Sequence, residues 1–251
     1  MKRLITMAST LLLVACAAST GTDSSDDSDE SSAASNEFRS AADRGRDDGR
    51  KPDRVLGMLG VIEGMTVMDV MAASGYYTEI LSLAVGDSGR VYAQNPAGML
   101  RFRSGANDLA LNARVFNGRL PNVRRLDREF PDLGLTEGSV DVAITALNFH
   151  DVYNTSPEAA AGMLQAIKRV LKPGGVLGII DHAGRPGANN TQLHRIDKAL
   201  VVTAAEQAGF TIDVDSDVLA NPDDDGSQMV FAPGTRGNTD RFLLKLVKPN
   251  A

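Results

Sequence analysis

The chain has three histidines, and each has a carboxylate close by: His150 beside Asp151, His182 beside Asp181, and His194 three residues before Asp197. An imidazole held by a carboxylate can take or give a proton near neutral pH. Neutral imidazoles with carboxylates also suit zinc or a similar ion. No short ligand spacing such as H-x-x-x-H occurs, so no metal ligand is assigned and proton transfer is the first expectation. For any one of these histidines, capping of loop backbone is the duller account. Three together at one ligand edge would be harder to dismiss. A further stretch of interest is Val67-Met68-Asp69-Val70-Met71-Ala72-Ala73-Ser74-Gly75, a short apolar run ending in small residues that let a ligand approach the backbone.

Strand and helix signals alternate along the chain and decide where these residues fall. Residues 66–71, entered from the Glu63-Gly64 turn, read as a buried strand. Further strands are expected at 91–93, 123–126, 140–146, 176–180, 211–218 and 241–247. Helices are expected at 52–59 with Pro52 in the first turn, at 76–85 stopped by Gly86, at 107–116, at 157–171, and at 191–208 capped by Gly209. The 157–171 helix is the clearest, with Met163, Leu164, Ile167, Val170 and Leu171 as its apolar stripe and Pro173-Gly174-Gly175 as its stop. This alternation implies an α/β fold: a doubly wound, mostly parallel seven-stranded sheet. The last strand follows a long loop, 221–238, with no helix in it and should run antiparallel. Ligands of such sheets lie beyond the carboxyl ends of the strands, at the switch in strand order. Segments 72–77, 148–153 and 181–184 should therefore rim one cleft, bringing Gly75, His150 and Asp181 together.

The N-terminus carries a different message. Lys2 and Arg3 precede an apolar run closed by Leu13-Val14-Ala15-Cys16. A charged start, a short apolar stretch and small residues describe an export signal, and the run is too short to span a bilayer. Its last four residues resemble a bacterial lipobox, whose cysteine becomes the lipidated first residue. Cys16 is the only cysteine, so no disulfide competes for it. Ala17 follows in place of aspartate, which points to the outer membrane. The expected location is the periplasmic side of the envelope, with the lipid on Cys16 as the membrane contact. Residues 17–37 are Ser- and Asp-rich and cannot offset their ordering entropy, so a disordered tether is expected there. This leaves 38–251 as one domain. The formal charge of −6 becomes about −8 once Lys2 and Arg3 are removed, which disfavours nucleic acid as a partner. No heptad run or internal repeat speaks for an oligomer.

Three motifs occur in order at ordinary spacing: residues 67–75 quoted above, Gly138-Ser139-Val140-Asp141-Val142, and Leu171-Lys172-Pro173-Gly174-Gly175-Val176. On these, residues 38–248 resemble the class I S-adenosylmethionine-dependent methyltransferases, with their Rossmann-like fold. More narrowly, Asn148-Phe149-His150-Asp151, Asp181-His182, His194-Arg195-Ile196-Asp197, Asn221-Pro222-Asp223-Asp224 and Arg236-Gly237-Asn238-Thr239-Asp240 resemble a group of exported predicted methyltransferases. The resemblance implies S-adenosylmethionine as cofactor and a small molecule as methyl acceptor. It implies a cofactor site of Asp69, Ala73, Gly75 and Tyr76 around the first loop, Asn95 near the ribose, Asp127 at the adenine end, and Asn148. The family favours glycine where this chain has Met71 and Ala73, and an acid where Asn95 stands.

If a methyl is transferred, the protein aligns donor and acceptor and removes an acceptor proton. His150 is then the expected base, with His182 or Asp181 holding the acceptor. His194 and Asp197, three apart on a helix, would orient one another. Two other readings use the same residues: a non-catalytic ligand-binding protein on this fold, and a metal-assisted enzyme built on the His/Asp rim.

Overall fold

The computed structural model describes residues 33, 36 and 38–250. The signal segment, the lipobox with Cys16 and most of the expected tether lie outside the described residues. Among the described residues no helix is long and apolar enough to cross a membrane.

Seven strands form one sheet: β1 (Thr66–Val70), β2 (Arg90–Gln94), β3 (Val123–Leu126), β4 (Val140–Ala146), β5 (Leu171–His182), β6 (Thr211–Ser216) and β7 (Arg241–Val247). Their order is β3-β2-β1-β4-β5-β7-β6. The first five are parallel, whereas β7 runs antiparallel to both β5 and β6. The expected doubly wound sheet with an antiparallel last strand is therefore what forms. The chain moves outward from β1 to β3 and returns on the other side of β1 as β4. The topological switch thus lies between β1 and β4.

Nine helices accompany the sheet among the described residues: α1 (Ala41–Arg44), α2 (Asp47–Arg50), α3 (Pro52–Leu59), α4 (Tyr76–Val85), α5 (Ala97–Val115), α6 (Phe149–Thr155), α7 (Pro157–Val170), α8 (Asn190–Leu193) and α9 (Lys198–Gln207). The period-2 alternation of the strands divides the core between two sheet faces. Met68 and Val70 join Met163, Ile167 and Val201 of α7 and α9, while Val67 joins Val55, Leu59 and Ile80 of α3 and α4. Gly178 in β5 lets α3 settle closely, because a Cβ there would lie 2.6 Å from Leu59 Cδ1.

Gly75 fixes how the first loop becomes α4. It has φ +84, and an added Cβ would meet Leu111 Cδ1 at 2.8 Å and Arg114 Cδ at 3.0 Å. Gly75→Ala combines left-handed strain with overpacking and should destabilise by about 2–4 kcal/mol. At Gly57 in α3 an added Cβ would meet nothing within 4 Å, so Gly57→Ala should stabilise by about 0.5–1 kcal/mol. Urea midpoints of the two variants, moving in opposite directions, check both statements.

Three expectations about elements need correction. The helix expected at 107–116 begins at Ala97, with a non-helical break at Phe102–Gly105. The helix expected at 191–208 is two helices separated by residues 194–197. Ile196 N–H donates to His182 O (3.1 Å) and Gly184 N–H donates to Ile196 O (2.8 Å), so this piece pairs with the end of β5 instead of coiling. Finally, α6 follows β4 directly and holds His150, where only a loop was expected.

Candidate active site

The loop after β1 has the shape of a glycine-rich turn although most of its glycines are missing. Met71 and Ala73 adopt φ 54 and 50, and Gly75 adopts 84. Left-handed backbone costs a non-glycine residue about 1–2 kcal/mol. Two buried amides from the end of β2 hold the loop in place against that cost. Gln94 Oε1 accepts from Met71 N–H (3.0 Å), and Asn95 Oδ1 accepts from Ala73 N–H (2.8 Å). Asn95 is fully buried. The role given to it from the sequence is therefore corrected: it braces the loop from behind and acts on a ligand only through Ala73. Met71 is only 8% exposed and belongs to the main core, so most of its side chain is turned into the protein.

In front of this loop is a cavity of about 200 Å³ lined by Asp69, Met71, Ala73, Tyr76, Asn148 and Arg50, among others. Asp69 is buried and accepts from Thr78 Oγ1 at 2.6 Å. Burial raises its pKa to about 7, against the opposing pull of the Thr78 hydrogen bonds. Asn148 donates to Met71 O (3.1 Å) and Ala146 O (2.9 Å), tying the exits of β1 and β4 together. Tyr76 and Tyr77 are both buried and meet edge to face, with ring centroids 5.1 Å apart. The Tyr76 hydroxyl donates to Asp47 Oδ1 (2.6 Å), and Arg39, Arg46 and Arg50 lie 5.5, 4.5 and 4.4 Å from its ring centroid. These contacts hold α2, with Arg39 and Arg46 before it, against the Tyr76 ring. Asp127 stands apart: it pairs with Arg125 and lines a separate open depression of about 580 Å³ beside α5.

A larger cavity of about 690 Å³ adjoins the first and shares Arg46, Arg50 and Leu147 with it. His150, Asp151, His182, Arg236 and Arg241 line it. Asp181 is fully buried and organises this wall. It accepts from the backbone N–H groups of His150 (2.7 Å) and His182 (2.8 Å), and meets His150 Nδ1 at 2.6 Å. On its other side, His150 Nε2 lies 3.1 Å from Asp151 Oδ1 without the alignment of a hydrogen bond. Asp151 also bonds His194 Nδ1 at 2.9 Å. His194 is therefore oriented by Asp151 across 43 residues and not by Asp197, which instead caps α9 by accepting from Ala199 N–H.

Burial alone would lower the pKa of His150, but Asp181 and then Asp151 outweigh it and raise the value to about 10. A ring that keeps its proton at neutral pH has no lone pair to offer. A ring held between two carboxylates in this way suits a charged hydrogen-bond donor better than the base role expected for His150. His182 behaves in the opposite way: burial, then the charge on His150, holds it well below the ordinary imidazole value. Its Nδ1 contacts Thr239 Oγ1 at 2.7 Å. Accepting from that hydroxyl would leave the proton of a neutral ring on Nε2. The nearest ligand-type atoms of His150, Asp151 and His194 all lie within 4.8 Å of one another. Sequence spacing could not show this cluster, because two segments far apart in the chain supply it: α6 holds His150 and Asp151, and the turn after α8 holds His194.

Comparison with known proteins agrees with this geometry. The family model of a methyltransferase domain matches residues 68–179. No curated protein matches the chain. Among solved structures, an S-adenosylmethionine-dependent methyltransferase from Aquifex aeolicus is 24% identical with a TM-score of 0.58, over 80% of this chain and 97% of that one. One from Mesorhizobium loti is 16% identical with a TM-score of 0.53, over 77% and 95%. The [4+2]-cyclase SpnF has the same fold at 18% identity and a TM-score of 0.56, over 81% of each chain.

The cofactor to which this domain points is S-adenosylmethionine, and the residues present fit it. The loop keeps its left-handed backbone at Met71 and Ala73 without glycine there, Met71 is turned largely into the core, and a buried acid, Asp69, lies beneath the cleft. The smaller cavity is below the roughly 300 Å³ usual for ligand sites. The adjoining cavity, which shares Arg46 and Arg50 with it, extends the cleft. Residues 68–179 match the methyltransferase domain, and the chain has the fold of the class I S-adenosylmethionine-dependent methyltransferases.

Proposed function

We propose that this chain is an S-adenosylmethionine-dependent methyltransferase acting on a small molecule, exported and anchored through a lipid on Cys16. The observation that supports it most is convergence: the exits of β1, β4 and β5 open onto two adjoining cavities, with Asp69 and Ala73 in one and His150 and His182 in the other. When bound, S-adenosylmethionine supplies a methyl carbon that already carries a good leaving group. The protein's part is then alignment. The first loop and Asp69 hold the donor side. On the acceptor side, His150 is fixed by Asp181 and offers a charged Nε2–H donor, and His182 offers a neutral one. His194 fixes the same Asp151 oxygen that faces His150. Asp69→Asn removes the buried acid and should weaken cofactor affinity about 10–100-fold, read by calorimetry. Unchanged affinity would remove Asp69 from the site. The anchor is checked separately, by an acylated N-terminal cysteine in the mass of the mature protein.

The grouping of His150, Asp151 and His194 favours a second reading, in which a divalent metal assists the reaction. Elemental analysis of the purified protein decides it: one equivalent of a transition metal supports this reading, and none removes it.

A further inference from the structure

Among the described residues three arginines are buried, and two of them are matched by carboxylates. Arg195 is fully buried and makes a two-pronged pair with Asp224 (2.8 and 3.0 Å). Arg39 is 2% exposed and pairs in the same way with Asp47 (2.7 and 2.9 Å). Arg241 is 5% exposed and has no carboxylate within ion-pair distance among the described residues. Its Nε donates to Thr239 Oγ1 (2.9 Å), Nη1 to Gly49 O (3.1 Å) and Nη2 to Gly237 O (2.6 Å). A guanidinium carries five N–H groups, so one on each Nη is left over. Neutral carbonyls do not cancel a buried charge, and an uncompensated one costs several kcal/mol.

Arg50, half-buried nearby, also lacks a carboxylate partner among the described residues. It lies against the Tyr76 ring at 4.4 Å. Burial and then Arg46 lower its pKa; burial and then Arg50 lower that of Arg241, against a partial opposing pull from Tyr77 and Asp224. Both line the 690 Å³ cavity, together with Arg46, Arg236, His150 and His182. The acids on its wall are Asp48 and Asp151. Asp151 is already engaged with His150 and His194.

We infer that the acceptor is a small oxyanion, a carboxylate or phosphate compound whose charged group sits between Arg50 and Arg241 and faces His150 and His182. A planar fork with a free N–H on each arm suits two oxygens of one anion. Arg46 is already satisfied by Asp43, and Arg236 is exposed at the rim and steers entry. As an assignment of the acceptor this rests on the transferase reading. As an anion site it stands without it, and its test needs no cofactor.

The chain has three histidines, so ring ¹⁵N–¹H spectra of the full chain contain three readable sets of signals. Titration with inorganic phosphate and with succinate, against potassium chloride of equal ionic strength, should move the His150 and His182 signals saturably. The anion that binds more tightly identifies the head group. Arg241→Gln should weaken binding at least tenfold. Because Arg241 also holds Gly49 and Gly237, Arg50→Gln provides a second variant that breaks no hydrogen bond, and it should weaken binding to a similar degree. Signals that merely follow chloride would overturn the inference, as would affinity unchanged in both variants. Loss of S-adenosylmethionine binding with anion binding intact would instead count against the transferase reading alone.

Discussion

His150→Ala should lower turnover about 10²–10³-fold while leaving cofactor affinity nearly unchanged, measured as S-adenosylhomocysteine released in the presence of an accepted acid. The size is that of one preorganised charged donor lost from a water-poor site. Cofactor affinity survives because the first loop, braced by Gln94 and Asn95, does not depend on His150. The pH profile separates donor from base. A base with a pKa near 10 would make activity climb steadily from pH 7 upwards. A donor gives a flat profile over that range and a fall as pH rises through about 10, where the ring loses its proton. Asp181→Asn removes the main source of the raised value and should bring that fall to lower pH. A rising profile in the wild type would return His150 to the role of base.

The second large effect is on stability. Asp181→Ala leaves two buried N–H groups without an acceptor and strands a charged ring beside them, so it should destabilise by about 3–5 kcal/mol. The pH dependence has a definite sign. His150 binds its proton more tightly in the folded chain, where the pKa is about 10, than in the unfolded chain, where it is about 6.5. Its contribution is therefore fully present below pH 6.5 and is lost as pH rises through 10. Urea midpoints should fall over this window in the wild type, and fall less in His150→Gln. Equal slopes in the two proteins would show that the His150 pairs contribute nothing to folding.

Much of this was legible in the residues. Strand runs such as residues 140–146 and the stripe of α7 specify their elements locally, and the antiparallel last strand followed from the lack of a helix in 221–238. Convergence of the three loops followed from topology. The details that long-range partners decide were not legible. Nothing in Asn95 distinguishes a ribose contact from a brace on Ala73. The 191–208 helix breaks because Ile196 finds hydrogen-bond partners beside β5, a contact between segments far apart in sequence. His194 pairs with Asp151 for the same kind of reason, and the nearer Asp197 is taken as a cap. In the run Asp223-Asp224-Asp225 the outer two acids are exposed and the middle one anchors the loop. Asp224 accepts from Arg195 and from the backbone of Asp240 and Gly226. The unpaired state of Arg241 had no sequence signal at all, because it is a fact about which acids are missing from its surroundings.

The central claim is that the cleft between the β1 loop and the wall of α6 and β5 is a cofactor site. Calorimetric titration of the full chain with S-adenosylmethionine and S-adenosylhomocysteine addresses it most directly. Saturable micromolar binding of both, weakened by Asp69→Asn, is the predicted result. No heat of binding at millimolar ligand would contradict it and leave a methyltransferase fold that serves a different ligand.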